Sequence, residues 1–235
     1  MSKIPSKLAI LLVSIALLII LDVATKSPET PNVKTILIKE GMRISEINDI
    51  LHRENILKED DDIPFSYEGY LFPDTYDFFV HSSKEIVIQK MEDNFNKKVD
   101  GVIPEGADKN RVITVASIIQ KEVVGRESMQ LVAGIIEKRL KSNYPLQIDA
   151  TTCYLKPVPC KLERGDLQTD SPYNTYLHKG LPPTPISNPG LEAILASTAP
   201  MQSEYWFYIT DPKTKKTIFS KDLGDHQINV AKYLR

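Results

Sequence analysis

The segment from Arg111 to Val123, RVITVASIIQKEV, most limits how this chain can fold, because it sets a carboxylate inside an apolar helical stripe. At 100° per residue Val112, Val115, Ala116, Ile118, Ile119 and Val123 gather in one arc, and Glu122 projects from the middle of it. Thr114, Ser117, Gln120 and Lys121 fall on the opposite side. A stripe this wide faces a core, where an ionised carboxylate is costly unless it is paired, hydrogen-bonded or protonated. Two readings are open. Glu122 is a buried ion-pair partner of an arginine such as Arg126 or Arg139, or it is a carboxyl kept partly protonated near neutral pH, as general-acid chemistry on an acid-labile bond requires.

The N-terminus reads differently. Lys3 and Lys7 precede an apolar run from Leu8 to Ala24 in which Asp22 is the only charge. This is near the lower limit of about 17–25 residues for spanning a bilayer, and the lysines favour a cytoplasmic N-terminus with the rest of the chain outside. A cleaved signal peptide needs small residues at its cleavage site, which Asp22-Val23-Ala24 supplies poorly. The expectation is a cytoplasmic segment 1–7, a single-pass anchor 8–24 in the cytoplasmic membrane and a proline-bearing linker 25–34.

A net charge of −2 and the lack of a basic stripe interleaved with aromatics give no support for nucleic-acid binding. Histidines 52, 81, 178 and 226 are scattered, and no nucleophile elbow, P-loop, dinucleotide fingerprint or H-E-x-x-H occurs, so neither metal nor cofactor is expected. Cys153 and Cys160 bracket YLKPVP; outside the cytoplasm they can form a disulfide, and a loop staple suits them better than redox chemistry.

Along the chain, Thr35–Ile38 reads as a strand, and Ile44, Ile47, Ile50 and Leu51 as a small amphipathic helix. Residues 59–62 read as a solvated acidic turn, and Glu68–Val80 as strand, turn, strand. Ser82-Ser83-Lys84-Glu85 resembles a capping box opening a helix to about Lys98. The Glu122 helix follows, ended by Gly125, then a helix from Ser128 to Lys141. Leu181–Gly190, with four prolines, excludes regular helix or a central strand. A short helix 189–198, a hairpin of 205–210 with 217–220, and a terminal helix after Asp225 complete the reading. Helices and hairpins without a βαβ rhythm make the fold class α+β.

Six segments then carry a resemblance: Glu68-Gly69-Tyr70-Leu71-Phe72-Pro73-Asp74-Thr75-Tyr76, Ala116–Glu122 (ASIIQKE), Leu146-Gln147-Ile148-Asp149, Ser171–Tyr176 (SPYNTY), Gly180-Leu181-Pro182-Pro183 and Asn188-Pro189-Gly190. In this order they resemble the endolytic murein transglycosylases of the YceG-like (MltG) family. The resemblance implies a small truncated LysM-like subdomain over 35–66 and a mixed α+β catalytic domain over 67–235. It implies a membrane-anchored bacterial enzyme that cuts peptidoglycan strands internally at the MurNAc–GlcNAc bond, leaves 1,6-anhydroMurNAc ends, and works beside cell-wall synthases, the penicillin-binding proteins. Glu122 stands at the family's essential glutamate and would act as acid and then as base toward the C6 hydroxyl of the same sugar. Water-using glycosidases ordinarily need a second carboxylate about 5–10 Å away. The resemblance puts Asp149 in a motif near the cleft, which makes it an orienting or sugar-binding group in preference to a nucleophile, with a loop Asp that caps the following turn as the alternative, and Gln147 beside it is placed at the substrate. Tyr173, Asn174, Thr175 and Tyr176 offer the amide, hydroxyl and aromatic surfaces that grip a sugar, with plain core as the alternative for the aromatics. Glu68 contacts Glu122 or substrate, or else forms a salt bridge holding two halves together. Gln120 stands where members often carry Glu, and residues 153–161 do not follow the pattern. A water-using muramidase and a catalytically idle scaffold are the competing functions.

Overall fold

A computed structural model describes residues 32–234; the apolar run 8–24 lies outside the described residues. Among the described residues no helix is long and apolar enough to cross a membrane.

The first unit is built from β1 (Val33–Leu37), α1 (Ile44–Arg53), β2 (Thr75–Phe79) and α2 (Lys84–Val99). β1 and β2 pair antiparallel, Val33 opposite Phe79 and Leu37 opposite Thr75. Alternation along the strands turns Ile36, Tyr76 and Phe78 inward, where they meet Ile44, Ile47 and Leu51 from one face of α1 and Val87 and Met91 from α2. This core runs from Ile36 to Met91, so residues 35–66 are one part of a unit that continues past residue 66. One strand and one helix bury too little apolar surface to stand alone, and β2 with α2 supplies the rest.

Two expected local features take another form. Glu68–Phe72 is irregular rather than a strand, because Asn188 Oδ1 accepts from both Gly69 and Leu71 N–H at 3.0 Å and replaces a ladder partner. Gly69 has φ 90°, and a Cβ there would lie 2.6 Å from Pro185. Ser83 is the N-cap of α2 but makes no side-chain capping bond. Asp61 of the acidic turn does so instead, accepting from Lys84 N at 3.2 Å and pairing with Lys84 Nζ at 2.8 Å.

The second unit contains α3 (Lys109–Glu122), α4 (Arg126–Lys141), α5 (Asp149–Cys153), α6 (Leu191–Thr198), the hairpin β3 (Phe207–Thr210) with β4 (Thr217–Ser220), and α7 (Leu223–Tyr233). Asp108 caps α3 by accepting from Arg111 N at 3.1 Å. Val123 is extended and ends α3, and Gly125, expected to end that helix, instead opens α4 at φ 90°. α3 is buried on more than its apolar arc: Thr114 and Ser117 are enclosed as well. The proline-rich segment 181–190 lies along that side. Ser117 Oγ accepts from Ile186 N at 3.0 Å, Ser187 Oγ donates to Ser117 O at 3.1 Å, and Gln120 Oε1 accepts from Gly190 N at 3.0 Å. The polar side of α3 thus satisfies a segment with no ladder of its own. Gly134 in α4 admits the Met201 carbonyl, which would lie 1.9 Å from a Cβ. A disulfide joins Cys153 to Cys160. Seven helices and two two-stranded sheets among the described residues make the class α+β.

Candidate active site

Glu122 is the last residue of α3. It lies half-buried in a cleft of about 490 Å³ with Gln147, Asp149, Tyr176, Tyr208 and Arg139 in the walls. Leu223, His226 and Val230 of α7, with Leu234 just after it, line another side of the same cleft. The carboxyl Oε2 accepts from Tyr208 O–H at 3.1 Å, and no ion pair involves Glu122 among the described residues. Burial pushes its pKa up to about 7; the Tyr208 bond pulls down, the negative charge of Asp149 pushes up, and a backbone bond from Ala150 pulls down.

The ion-pair reading of Glu122 is not realised. Arg126 is exposed at the start of α4. Arg139 is 6% exposed and spends its guanidinium on the carbonyls of Trp206, at 3.1 and 2.6 Å, and of Leu146. It clamps the hairpin and the 146–149 turn together, which sets the cleft walls without neutralising Glu122.

Three residues expected at the substrate meet in the cleft. Asp149, first residue of α5, accepts from Tyr176 O–H at 2.6 Å. Gln147 is exposed with φ 51°, in the left-handed region that a non-glycine residue enters only when its surroundings hold it there. Its N–H donates to Thr175 O at 3.0 Å.

The other four lie elsewhere. Asn174 is fully buried: Nδ2 donates to Thr169 O at 2.9 Å and Leu167 O at 3.2 Å, and Oδ1 accepts from Tyr176 N at 3.0 Å. Thr175 Oγ1 accepts from Ile148 N at 3.0 Å and meets Thr151 Oγ1 at 2.9 Å. Both are consumed by irregular backbone and hold Asp149 and Tyr176 in place from behind. Tyr173 packs against Tyr154 with the rings tilted at 42° and their centroids 4.8 Å apart, and lines a different groove, with Phe65 and Leu155.

Glu68 is 1% exposed and away from the cleft. It accepts from Ile44 N at 3.2 Å, Tyr154 O–H at 3.0 Å and Asn188 Nδ2 at 3.0 Å. It is a joint between the two units, built from hydrogen bonds rather than a salt bridge. Burial raises its pKa to about 7, against the bonds from Ile44 and Tyr154.

Tyr208, Thr210 and Phe207 were not singled out by the sequence. Alternation in FYIT marks Tyr208 and Thr210 as one face of a strand, but only the docked hairpin brings that face to Glu122. Among the described residues no cluster of three His, Cys, Asp or Glu side chains could hold a metal ion.

Fold and site together define a protein that holds one proton-carrying carboxyl, uncompensated by a cation, in an open cleft between a helix end and a hairpin. The sequence pattern of the YceG-like family matches residues 16–232, and the chain belongs to that family. A Bacillus subtilis (strain 168) protein named endolytic murein transglycosylase is 34% identical over 174 residues, 71% of this chain and 48% of that protein. A Streptococcus pneumoniae (strain D39) protein of the same name is 29% identical over 194 residues, 77% of this chain and 35% of that one. The crystal structure of a YceG-like protein from Listeria monocytogenes matches with a TM-score of 0.73 at 30% identity, over 83% of this chain and 75% of its own. The chain spans 35% to 48% of the length of the two curated relatives.

Proposed function

We propose that this protein is a peptidoglycan lytic transglycosylase that cuts glycan strands internally at the MurNAc–GlcNAc bond. Family membership and the names of its relatives supply the substrate class. The observation that carries the chemistry is Glu122, which keeps its proton to about pH 7 in a cleft of about 490 Å³ and has no cation paired with it among the described residues. As the C1–O bond breaks, Glu122 gives its proton to the departing oxygen. The C6 hydroxyl of the same MurNAc then bonds to C1 and its proton passes to Glu122, which closes the 1,6-anhydro ring, returns the acid form and consumes no water. Asp149, tied to Tyr176, orients the sugar, and Gln147 offers its amide beside it. An idle scaffold has no use for a carboxyl held at such cost, since Leu or Gln would fill the position more cheaply.

Glu122→Gln keeps shape and deletes the transferable proton, so strand cleavage should fall by about 10²–10⁴-fold or more with the fold intact by circular dichroism. Asp149→Asn should slow cleavage without abolishing it. Mass spectrometry after digestion in ¹⁸O-water should find unlabelled 1,6-anhydroMurNAc ends. If the ends carry ¹⁸O and Asp149→Asn is as inactive as Glu122→Gln, the protein is a two-carboxylate muramidase. Appreciable cleavage by folded Glu122→Gln removes the assignment altogether.

The remaining organisation belongs to the same proposal. Residues 8–24 anchor the chain in the bacterial cytoplasmic membrane, 25–34 link it outward, and 35–66 open a LysM-like unit that β2 and α2 complete ahead of the cleft-bearing part, which works beside cell-wall synthases. Mature protein beginning near Thr25 in a soluble extracytoplasmic fraction would overturn the anchor.

A further inference from the structure

One strand grips Glu122 at both ends. Side chains alternate along β3, so Tyr208 and Thr210 share a face while Ile209 turns into the core at 8% exposure. Tyr208 O–H donates to Glu122 Oε2 at 3.1 Å, and Thr210 Oγ1 donates to the Glu122 carbonyl at 3.3 Å. That carbonyl lies in the final turn of α3, where helical donors have run out, and Val123 departs as extended chain. β3 is itself fixed by pairing with β4, Tyr208 opposite Phe219, and α7 ties to β4 through Asn229 Nδ2 and Ser220 Oγ at 3.0 Å.

No other polar side chain of the cleft bonds to this carboxyl among the described residues, and His226 Nδ1 is buried without a hydrogen-bond partner. Arg139 of α4 serves carbonyls, Tyr176 O–H serves Asp149 of α5, and His226 of α7 stacks on Phe207 with centroids 5.1 Å apart. The neighbouring Lys121 donates to Gly41 O at 3.1 Å. Among the described residues Tyr208 is the only side-chain donor to Glu122.

We propose that Tyr208 is a positioning residue for the Glu122 reaction, aiming the carboxyl into the cleft and stabilising it during the interval in which it is ionised. This rests on the acid-then-base reading above. A hydrogen bond to a charged acceptor is roughly twice as strong as one to a neutral group, so Tyr208 favours the carboxylate that exists after the first proton transfer over the resting acid. That is stabilisation present at the reacting stage and weak in the ground state. Tyr208 transfers no proton of its own: burial and the negative charge of Glu122 hold its hydroxyl well above the ordinary phenol range. Burial thus keeps the proton on Glu122 until substrate arrives, and Tyr208 makes its departure easier.

The test is titration of the full-length chain in detergent, with glutamate carrying ¹³C at the side-chain carboxyl. Glu68 also titrates near 7, so the Glu122 resonance is identified as the one lost in Glu122→Gln. In Tyr208→Phe its midpoint should rise by about one pH unit or more, and the basic limb of the cleavage–pH profile should move up with it, with at least a several-fold lower maximal rate. Thr210→Val, which loosens the hairpin without touching the carboxyl, should leave the midpoint in place. An unchanged midpoint in folded Tyr208→Phe overturns the proposal, as does an equal shift in Thr210→Val. A Tyr208→Phe chain that does not fold overturns it too, assigning the hydroxyl to hairpin stability. The titration needs no turnover, so a failure of the transglycosylase reading appears separately, as cleavage by Glu122→Gln.

Discussion

Glu122 couples the chemistry of the cleft to the stability of the fold. Its pKa is about 7 when folded against 4.5 for an ordinary solvated glutamate, so ionising it opposes folding. Below pH 4.5 both states hold the proton and the residue costs nothing. As the pH rises from 4.5 to 7 the unfolded chain releases its proton first and stability falls, and above 7 the loss is complete. The gap corresponds to at most about 3 kcal/mol, which water in the cleft reduces. Glu122→Gln should therefore melt close to wild type near pH 4 and distinctly above it near pH 8. Glu68 titrates in the same window in both proteins and cancels in the comparison. Parallel melting curves across this range would show that Glu122 is not held protonated. The sequence exposed this residue because a charge inside an apolar arc breaks the pattern; it could not choose between proton carrier and ion pair, since the partner's absence is a fact of three dimensions.

At the scale of elements, the segment 171–176 divides its residues between support and contact. Asn174 and Thr175 face backbone, while Tyr176 faces the cleft. Asn174→Ala leaves the Thr169 carbonyl and the Tyr176 N–H without partners and should cost about 2–3 kcal/mol in denaturant unfolding. Tyr176→Phe releases only Asp149 and should change stability by less than about 1 kcal/mol while slowing cleavage severalfold. The assignment of sides is wrong if the two variants exchange these effects. SPYNTY carries the residue types of a sugar grip, and its turn chemistry uses the same amides and hydroxyls. Types alone do not say which backbone group lies nearest, and the irregular chain claims them first.

Across the whole molecule, two hydrophobic cores meet at a buried polar joint. Glu68, Asn188, Arg43 and Tyr154 bring together the start of α1, the irregular 68–72 segment, the disulfide loop and the proline-rich segment. Glu68→Ala removes the acceptor shared by three donors and should lower stability by about 3 kcal/mol or more. It should also separate the unfolding transitions of the two units. Trp206, the single tryptophan, reports the second unit by fluorescence, and far-ultraviolet circular dichroism reports both. Coincident, unshifted transitions in Glu68→Ala would show that the joint does not couple the cores. The sequence by itself determined the α+β class, the order of six of the seven helices, the C-terminal hairpin and the singular position of Glu122, because local periodicity and turn chemistry fix each of these within a few residues, whereas α5, five residues long, is too short to show a period. Only the tertiary structure decided that Glu68–Phe72 gives up strand pairing to Asn188, that the polar side of α3 is enclosed by the proline-rich segment, and that β3 supplies Tyr208 to Glu122. Each depends on a partner far away in the chain, and a backbone or carboxyl group is satisfied by whichever group lies nearest once the chain has packed.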